Sequence, residues 1–72
     1  MSAITFDPQS VRVGDRFQKT SDPLGRAWEV LHTFLAPNGL PHAHLVSQGR
    51  YGAHKTIGVP ALLDRKFFEP LP

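Results

Sequence analysis

The sequence contains no cysteine among its 72 residues. Disulfide bonds, thiolate metal ligands and cysteine nucleophiles are therefore excluded. A single domain of this length buries only about 60% of the surface that its unfolded chain exposes, so the core is thin. Apolar packing has to stabilise that core, helped by seven prolines that restrict the unfolded chain. The absence of cysteine also fits a reducing compartment.

Long apolar runs are missing as well, and we expect no secretion leader. The first residues, Met1 to Pro8, have neither the basic nor the apolar region of a signal peptide. No apolar run approaches the roughly 20 residues that cross a bilayer. We therefore expect a cytoplasmic protein without a membrane partner. Eight Lys and Arg stand against six Asp and Glu, and this net charge of +2 permits only weak attraction to nucleic acid.

Catalytic patterns are scarce too. The serines have no base or orienting group around them in a recognisable motif, and the glycines occur singly at turns rather than in a phosphate-binding loop. The carboxylates Asp15, Glu29, Asp64 and Glu69 are scattered along the chain. We therefore expect no enzymatic activity and no cofactor.

Turn signals are dense and regular, which predicts short strands in one domain over residues 11–72, preceded by an extended arm over residues 1–10. Val11, Val13 and Phe17 share one parity, which predicts a first strand that bends at Gly14-Asp15. A loop over residues 20–25 follows. The further predicted strands are Arg26–Leu35, His42–Ser47, His54–Val59 and Lys66–Glu69.

Two junctions carry specific turn chemistry. Asn38-Gly39 is the strongest hairpin signal in the chain. Pro60 ends the fourth strand and is suited to open a helical or 3₁₀ turn over Ala61–Asp64. A longer helix in the last third is rejected, because Gly and Pro interrupt every window long enough to nucleate one.

Three blocks resemble a known architecture: Val-Gly-Asp-Arg-Phe at 13–17, Trp-Glu-Val at 28–30, and Lys-Thr-Ile-Gly-Val-Pro-Ala-Leu-Leu-Asp at 55–64. Their order is similar to the SH3-like small-barrel family, including uncharacterised small bacterial proteins of this shape. The resemblance implies an all-β fold, a five-stranded SH3-like barrel with one short 3₁₀ turn before the last strand. Its motifs are structural and imply no catalytic residues.

The four histidines are the most chemical feature of the sequence. His42 and His44 share a strand face, and a hairpin centred on Asn38-Gly39 places Thr33 and Leu35 opposite them. His54 is expected about four residues, or roughly 13 Å, along the next strand from His44. This spacing brings two ligands together but not three, so we expect no metal site.

These histidines also have a structural interpretation. His42 and His44 can face solvent while Ala43 and Leu45 fill the core. His32 shares parity with the apolar residues of its strand, including Trp28, which we expect in the core. His32 is therefore either a hydrogen-bonded, partly buried side chain or a sign that the strand bends before it.

A basic cluster around one aromatic ring is the best candidate for binding. Its predicted members are Lys19, Arg26, Arg50, Tyr51, His54 and Lys55. The alternative is that Tyr51 packs over its own turn while the charges keep a strand edge soluble.

The adjacent Phe67 and Phe68 face opposite ways in a strand, so one ring is left outside the core. With Leu71 it forms a candidate interface patch. We therefore expect a small protein-interaction module that binds a protein partner or self-associates. The alternative is an RNA or single-stranded DNA binder that uses the basic hairpin tip.

Overall fold

The computed structural model describes residues 11–49 and 52–72, and this part of the chain is mostly β. The predicted arm over residues 1–10, and the predicted binding residues Arg50 and Tyr51, lie outside the described residues. The elements are β1 (Arg16–Lys19), β2 (Trp28–Leu35), β3 (Pro41–Ser47), β4 (His54–Gly58), α1 (Val59–Leu62) and β5 (Phe68–Leu71).

The five strands form one antiparallel sheet in the order β4-β3-β2-β1-β5. The predicted all-β fold of five strands is therefore confirmed. The sheet is open, because no pairing within the described residues joins the edge strands β4 and β5. Among those same residues, no helix has the length and apolar character that spanning a membrane requires.

The chain reaches β1 through a turn, so the strand predicted over Val11–Val13 is wrong. The amide of Asp15 donates to the carbonyl of Arg12 at 3.0 Å, and the amide of Arg12 donates to the Asp15 carboxylate at 2.8 Å. These bonds turn Val13 outwards, where it is 68% exposed, while Val11 is buried. Val11 and Val13 therefore share one parity without lying in a strand, because the chain turns here.

A β-bulge in β2 changes which face its later residues occupy. Val30 pairs with Leu45 and His32 pairs with His44, so Leu31 is an extra residue without a partner on β3. His32 is consequently exposed on the outer side of the sheet. Of the two interpretations of His32, the structure shows the strand that bends before it, and not the partly buried side chain.

The hairpin register decides the partners of the β3 histidines. Phe34 lies opposite His42, and His32 lies opposite His44. The predicted opposition of Thr33 and Leu35 to these histidines is wrong, because the register is centred on Asn38 and not between Asn38 and Gly39.

The β2–β3 hairpin lies at the predicted Asn38-Gly39 signal, but its tight turn runs from Ala36 to Gly39, with Pro37 and Asn38 at its centre. The amide of Gly39 donates to the carbonyl of Ala36 at 2.8 Å, and the Asn38 side chain accepts from the amide of Leu40 at 3.0 Å. Gly39 has φ +82°, a conformation that glycine adopts without steric cost.

The element between β4 and β5 is one α-helical turn, which agrees with the helical alternative and corrects the 3₁₀ type that the resemblance implied. It begins at Val59, one residue before Pro60. The amide of Leu63 donates to the carbonyl of Val59 at 2.9 Å, four residues back. Pro60 lies in the first turn, where its missing N–H costs nothing. The amide of Asp64 donates to the carbonyl of Ala61 at 3.2 Å, which tightens the end of the helix.

The last strand begins two residues later than predicted. Phe67 donates its amide to the carbonyl of Asp64 at 2.9 Å, which places it in a turn before β5. Pro70 lies within β5, an edge strand, where a missing N–H is tolerated.

One side of the sheet, here called the inner face, packs against α1 to form the core. Ala43 and Leu45 are buried on this face, and His42 and His44 lie on the opposite, outer face, as predicted. Trp28 is only partly buried and packs against the edge of the core with Ile57. The buried core residues are Val11, Phe17, Val30, Ala43, Leu45, Val59, Leu62 and Phe68.

Candidate binding groove and histidine row

Two lysines lie on the inner face, beside the core. Lys55 pairs with Leu45 across β3 and β4, and Lys19 pairs with Phe68 across β1 and β5. Directly paired residues point to the same side of a sheet, so both lysines share the face of these buried partners. The sheet therefore places two ammonium groups at the open margin of the core.

These lysines border a groove of about 420 Å³, here called the lysine groove. Ile57, Ala61 and Phe68 supply apolar surface from β4, α1 and β5, and Phe67 adds a further apolar ring. The complete lining is Lys19, Thr20, Ser21, Lys55, Ile57, Ala61, Lys66, Phe67 and Phe68. An apolar surface with a cationic margin suits a ligand that is both apolar and anionic.

Lys55 is a perturbed charge at this site. Burial lowers its pKa, and the like charge of Lys19 lowers it further. Its Nζ lies 4.6 Å from the centroid of the Trp28 ring, a cation–π distance. An anion placed between the two lysines relieves their repulsion.

Hydrogen bonds hold the segment that carries Lys66 and Phe67 against the end of β1. The hydroxyl of Thr20 donates to the carbonyl of Lys66 at 2.5 Å, and the amide of Thr20 donates to the carbonyl of Phe67 at 3.0 Å. The carboxylate of Asp64 accepts from the amide of Lys66 at 2.9 Å. Phe67 is thus 54% exposed on a fixed backbone, available for contact without reordering.

A second pocket of about 440 Å³ adjoins the lysine groove, since Lys19 lines both. Trp28, Arg26 and Asp22 also line it. Arg26 donates from Nη1 to the carbonyl of Gln48 at 3.2 Å, so its guanidinium is partly engaged in holding the β3–β4 turn. This second pocket mixes both signs of charge and is less selective for anions than the lysine groove.

A row of aromatic rings, here called the histidine row, crosses the outer face. The ring centroids are 5.6 Å apart between His42 and Phe34, and 5.9 Å apart between Phe34 and His32. His44 lies 5.2 Å from His32 on one side and 5.2 Å from His54 on the other. The bulge at Leu31 is what brings His32 into this row.

His54 lies beside His44, so the expected separation of roughly 13 Å is wrong. His44 pairs with Thr56, and His54 lies two residues before Thr56 on the same side of β4. The Nε2 atom of His44 is 3.0 Å from Nδ1 of His54. Among the described residues, no three His, Asp or Glu side chains lie close enough to hold a metal ion together.

The structure divides the predicted binding residues between two faces. Lys19 and Lys55 line one groove, and Arg26 lines the pocket beside it. His54 belongs to the histidine row on the other face.

The three residues predicted for an interface also separate. Phe68 is 3% exposed and belongs to the core, so it offers a partner only the small surface that lines the lysine groove. Phe67 lines the lysine groove, whereas Leu71 lines a different pocket of about 360 Å³ with Arg16 and Arg65. The two remaining residues therefore do not form one cavity.

Sequence reasoning missed Lys66 and Thr20 as part of the site. The sequence pattern places Lys66 in the last strand, but Lys66 lies in the turn before that strand, where its amide donates to the Asp64 carboxylate. Asp at the first position of a turn is a recognised signal, and it indicates that the residues after Asp64 precede the strand. No comparable signal identifies Thr20, because its contacts join distant segments.

Comparisons with protein-family models, curated proteins and solved structures find no match to this chain.

Proposed function

We propose that this protein is a small, non-enzymatic interaction module whose lysine groove binds an acidic segment of a protein partner. The bound segment carries a carboxylate next to an apolar side chain. The observation that carries the proposal is the arrangement of Lys19, Lys55 and Lys66 around an apolar groove.

Charge complementarity supports an anionic ligand. The lysine groove has three ammonium groups and no carboxylate among its lining residues. Lys19 and Lys55 repel each other, and that repulsion contributes to the lowered pKa of Lys55. A bound carboxylate removes this cost and forms charge-assisted hydrogen bonds.

The apolar lining supports a peptide rather than a free phosphate. Ile57, Ala61 and Phe68 offer no hydrogen-bond donors from their side chains, so they suit an aliphatic or aromatic side chain next to the anionic group. The exposed ring of Phe67 adds contact area at the margin. Nucleic acid, the other class of partner expected from the sequence, gives a different result in the titration with peptide and oligonucleotide.

We further propose that the sheet coils in the manner of an SH3-like barrel. The bulge at Leu31 bends β2 in its middle, and β5 pairs with the edge of β1 that faces away from β2. A single helical turn over Val59–Leu62 links β4 to β5. This architecture supports binding only by analogy, so the function rests on the lysine groove itself.

A titration followed by NMR tests the proposed ligand. The probe is a synthetic hexapeptide of alternating Asp and Phe, and the control peptide carries Asn in place of each Asp. We expect the acidic peptide to shift the amide signals of Lys55, Ile57 and Phe67, and the Asn peptide to bind at least about threefold more weakly. We expect a higher salt concentration to weaken the binding of the acidic peptide.

Matched variants locate the site. Lys55→Gln is expected to lower the affinity for the acidic peptide by roughly three- to tenfold, because one partly exposed charged contact is lost. Arg65→Gln removes the same charge from a residue outside the lysine groove and is expected to leave affinity unchanged. Equal losses in the two variants would show that only net charge matters, which contradicts the proposal.

Two other occupants give distinct results in the same experiment. An eight-nucleotide oligothymidine that binds more tightly than the acidic peptide and shifts the same signals overturns the peptide assignment in favour of nucleic acid. Signals of the lysine groove that shift with protein concentration alone, without any peptide, identify a second copy of this chain as the occupant.

A further inference from the structure

The hydrogen-bonded nitrogens of His44 and His54 on the outer face have a separation that two ligands of one metal ion can share. Their facing nitrogens, Nε2 of His44 and Nδ1 of His54, are 3.0 Å apart. Zinc binds imidazole nitrogen at about 2.0–2.1 Å, so two such ligands lie about 2.9 Å apart at a right angle and about 3.3 Å apart at the tetrahedral angle. The observed separation falls within this range.

A neighbouring hydroxyl orients one ring of the pair. His44 Nδ1 is 3.0 Å from Oγ1 of Thr56, its direct partner on β4. When Nδ1 donates its proton to this hydroxyl, Nε2 is left unprotonated and directed at His54. Metal-binding histidines use their second ring nitrogen in this way, because the bond fixes both the tautomer and the ring plane.

Stacking restrains the same ring from the other side. His32 lies 5.2 Å from His44 with an angle of 13° between the two ring planes. His44 is therefore held by a hydrogen bond on one strand and by a parallel ring on the other. Such restraint lowers the entropy that a ligand loses on binding a metal.

We propose that His44 and His54 form a two-histidine chelating site for Zn²⁺, with His44 bound through Nε2 and His54 through Nδ1. Water completes the coordination of the ion. The metal replaces the hydrogen bond between the two rings, and the proton on His54 Nδ1 is taken up by Nε2 of the same ring through solvent. This site lies on the face opposite the lysine groove and is independent of the proposed peptide binding.

Isothermal titration calorimetry with zinc chloride, using the full chain, tests the site. We expect one zinc ion per chain, and no detectable heat with magnesium chloride, because Mg²⁺ prefers oxygen ligands. His44→Ala and His54→Ala are each expected to weaken zinc binding at least about tenfold, since either change leaves a single imidazole. Both side chains lie outside the core, and circular dichroism checks that the variants stay folded.

His42 provides the control. His42→Ala is expected to change zinc affinity by less than about threefold, because its ring stacks on Phe34 and is not a ligand in the proposed site. Thr56→Val is expected to weaken zinc by roughly tenfold through loss of the orienting hydroxyl.

Two results overturn the proposal. One is wild-type protein that takes up no zinc at millimolar concentration. The other is an affinity that falls as much in His42→Ala as in His54→Ala, which indicates diffuse binding along the row. Nitrogen chemical shifts of the imidazoles give a second readout, since His44 Nε2 and both ring nitrogens of His54 are expected to move on addition of zinc, whereas those of His42 are not.

Discussion

At the scale of single residues, Lys55 combines three features that are usually found apart. It pairs with the buried Leu45, lies over the ring of Trp28 and neighbours the like charge of Lys19. Burial and repulsion both disfavour its charged form, whereas the aromatic ring favours it. Since the pKa of Lys55 is lowered, the disfavouring effects are larger, and the folded protein holds this proton less tightly than the unfolded chain does.

The stability of the protein should therefore depend on Lys55 at alkaline pH. Between its lowered pKa and the ordinary value of 10.5, the unfolded chain binds more protons than the folded chain. The free energy of unfolding contributed by this group consequently rises as pH increases through that window. Urea denaturation between about pH 8 and pH 10.5 should show this rise in the wild type and a smaller one in Lys55→Met.

Lys66→Met is the control for this experiment. It removes a lysine from the same groove at an exposed position, so the rise with pH should remain as large as in the wild type. A Lys55→Met variant that keeps the whole rise would contradict the assignment.

At the scale of elements, β2 shows how far sequence patterns reach. Its existence, its hairpin at Asn38-Gly39 and the inward side chains of Ala43 and Leu45 on β3 were predictable, because turn chemistry and period-two alternation are local. The position of the extra residue, Leu31, was not. A bulge is decided by packing on both faces at once, and the sequence signalled it only as the awkward parity of His32.

The β3–β4 turn offers a prediction about strain. Gly49 has φ +134°, and a Cβ atom built there falls 1.5 Å from Nη1 of Arg26. Gly49→Ala should lower the free energy of unfolding by roughly 1–3 kcal/mol, because the residue is strained in this backbone conformation whatever the space around it. Thermal or urea denaturation measures the loss.

A double variant separates the two causes. Combining Gly49→Ala with Arg26→Ala removes the collision and keeps the backbone strain, so most of the loss should persist relative to Arg26→Ala alone. Full recovery would show that the collision, and not the conformation, is the cause.

At the scale of the whole molecule, the sheet separates two candidate binding surfaces, one on each face. The inner face carries the core and, at its margin, the lysine groove, while the outer face carries the histidine row. The sequence predicted Lys19 and Lys55 as binding residues, but it joined them to His54, which lies on the other face. Register decides that division, and a single bulge or a shifted hairpin moves a residue across the sheet.

The adjacent phenylalanines test the division between core and site. Phe68 is 3% exposed within the core, and Phe67 is 54% exposed at the lysine groove. A domain of 72 residues has a total stability of about 4–11 kcal/mol at the usual 0.05–0.15 kcal/mol per residue. Phe68→Ala should remove about 3–5 kcal/mol of it by leaving a cavity, which brings the protein close to unfolding.

Phe67→Ala should change stability by only about 0.5 kcal/mol, because its ring is largely in solvent. It should instead weaken the acidic Asp-Phe peptide, since it removes the exposed apolar ring of the lysine groove. Denaturation curves of the two variants, with peptide titrations of Phe67→Ala, separate the roles. Similar stability losses in both would mean that Phe67 supports the core, and the lysine groove would then lack the exposed ring that peptide binding requires.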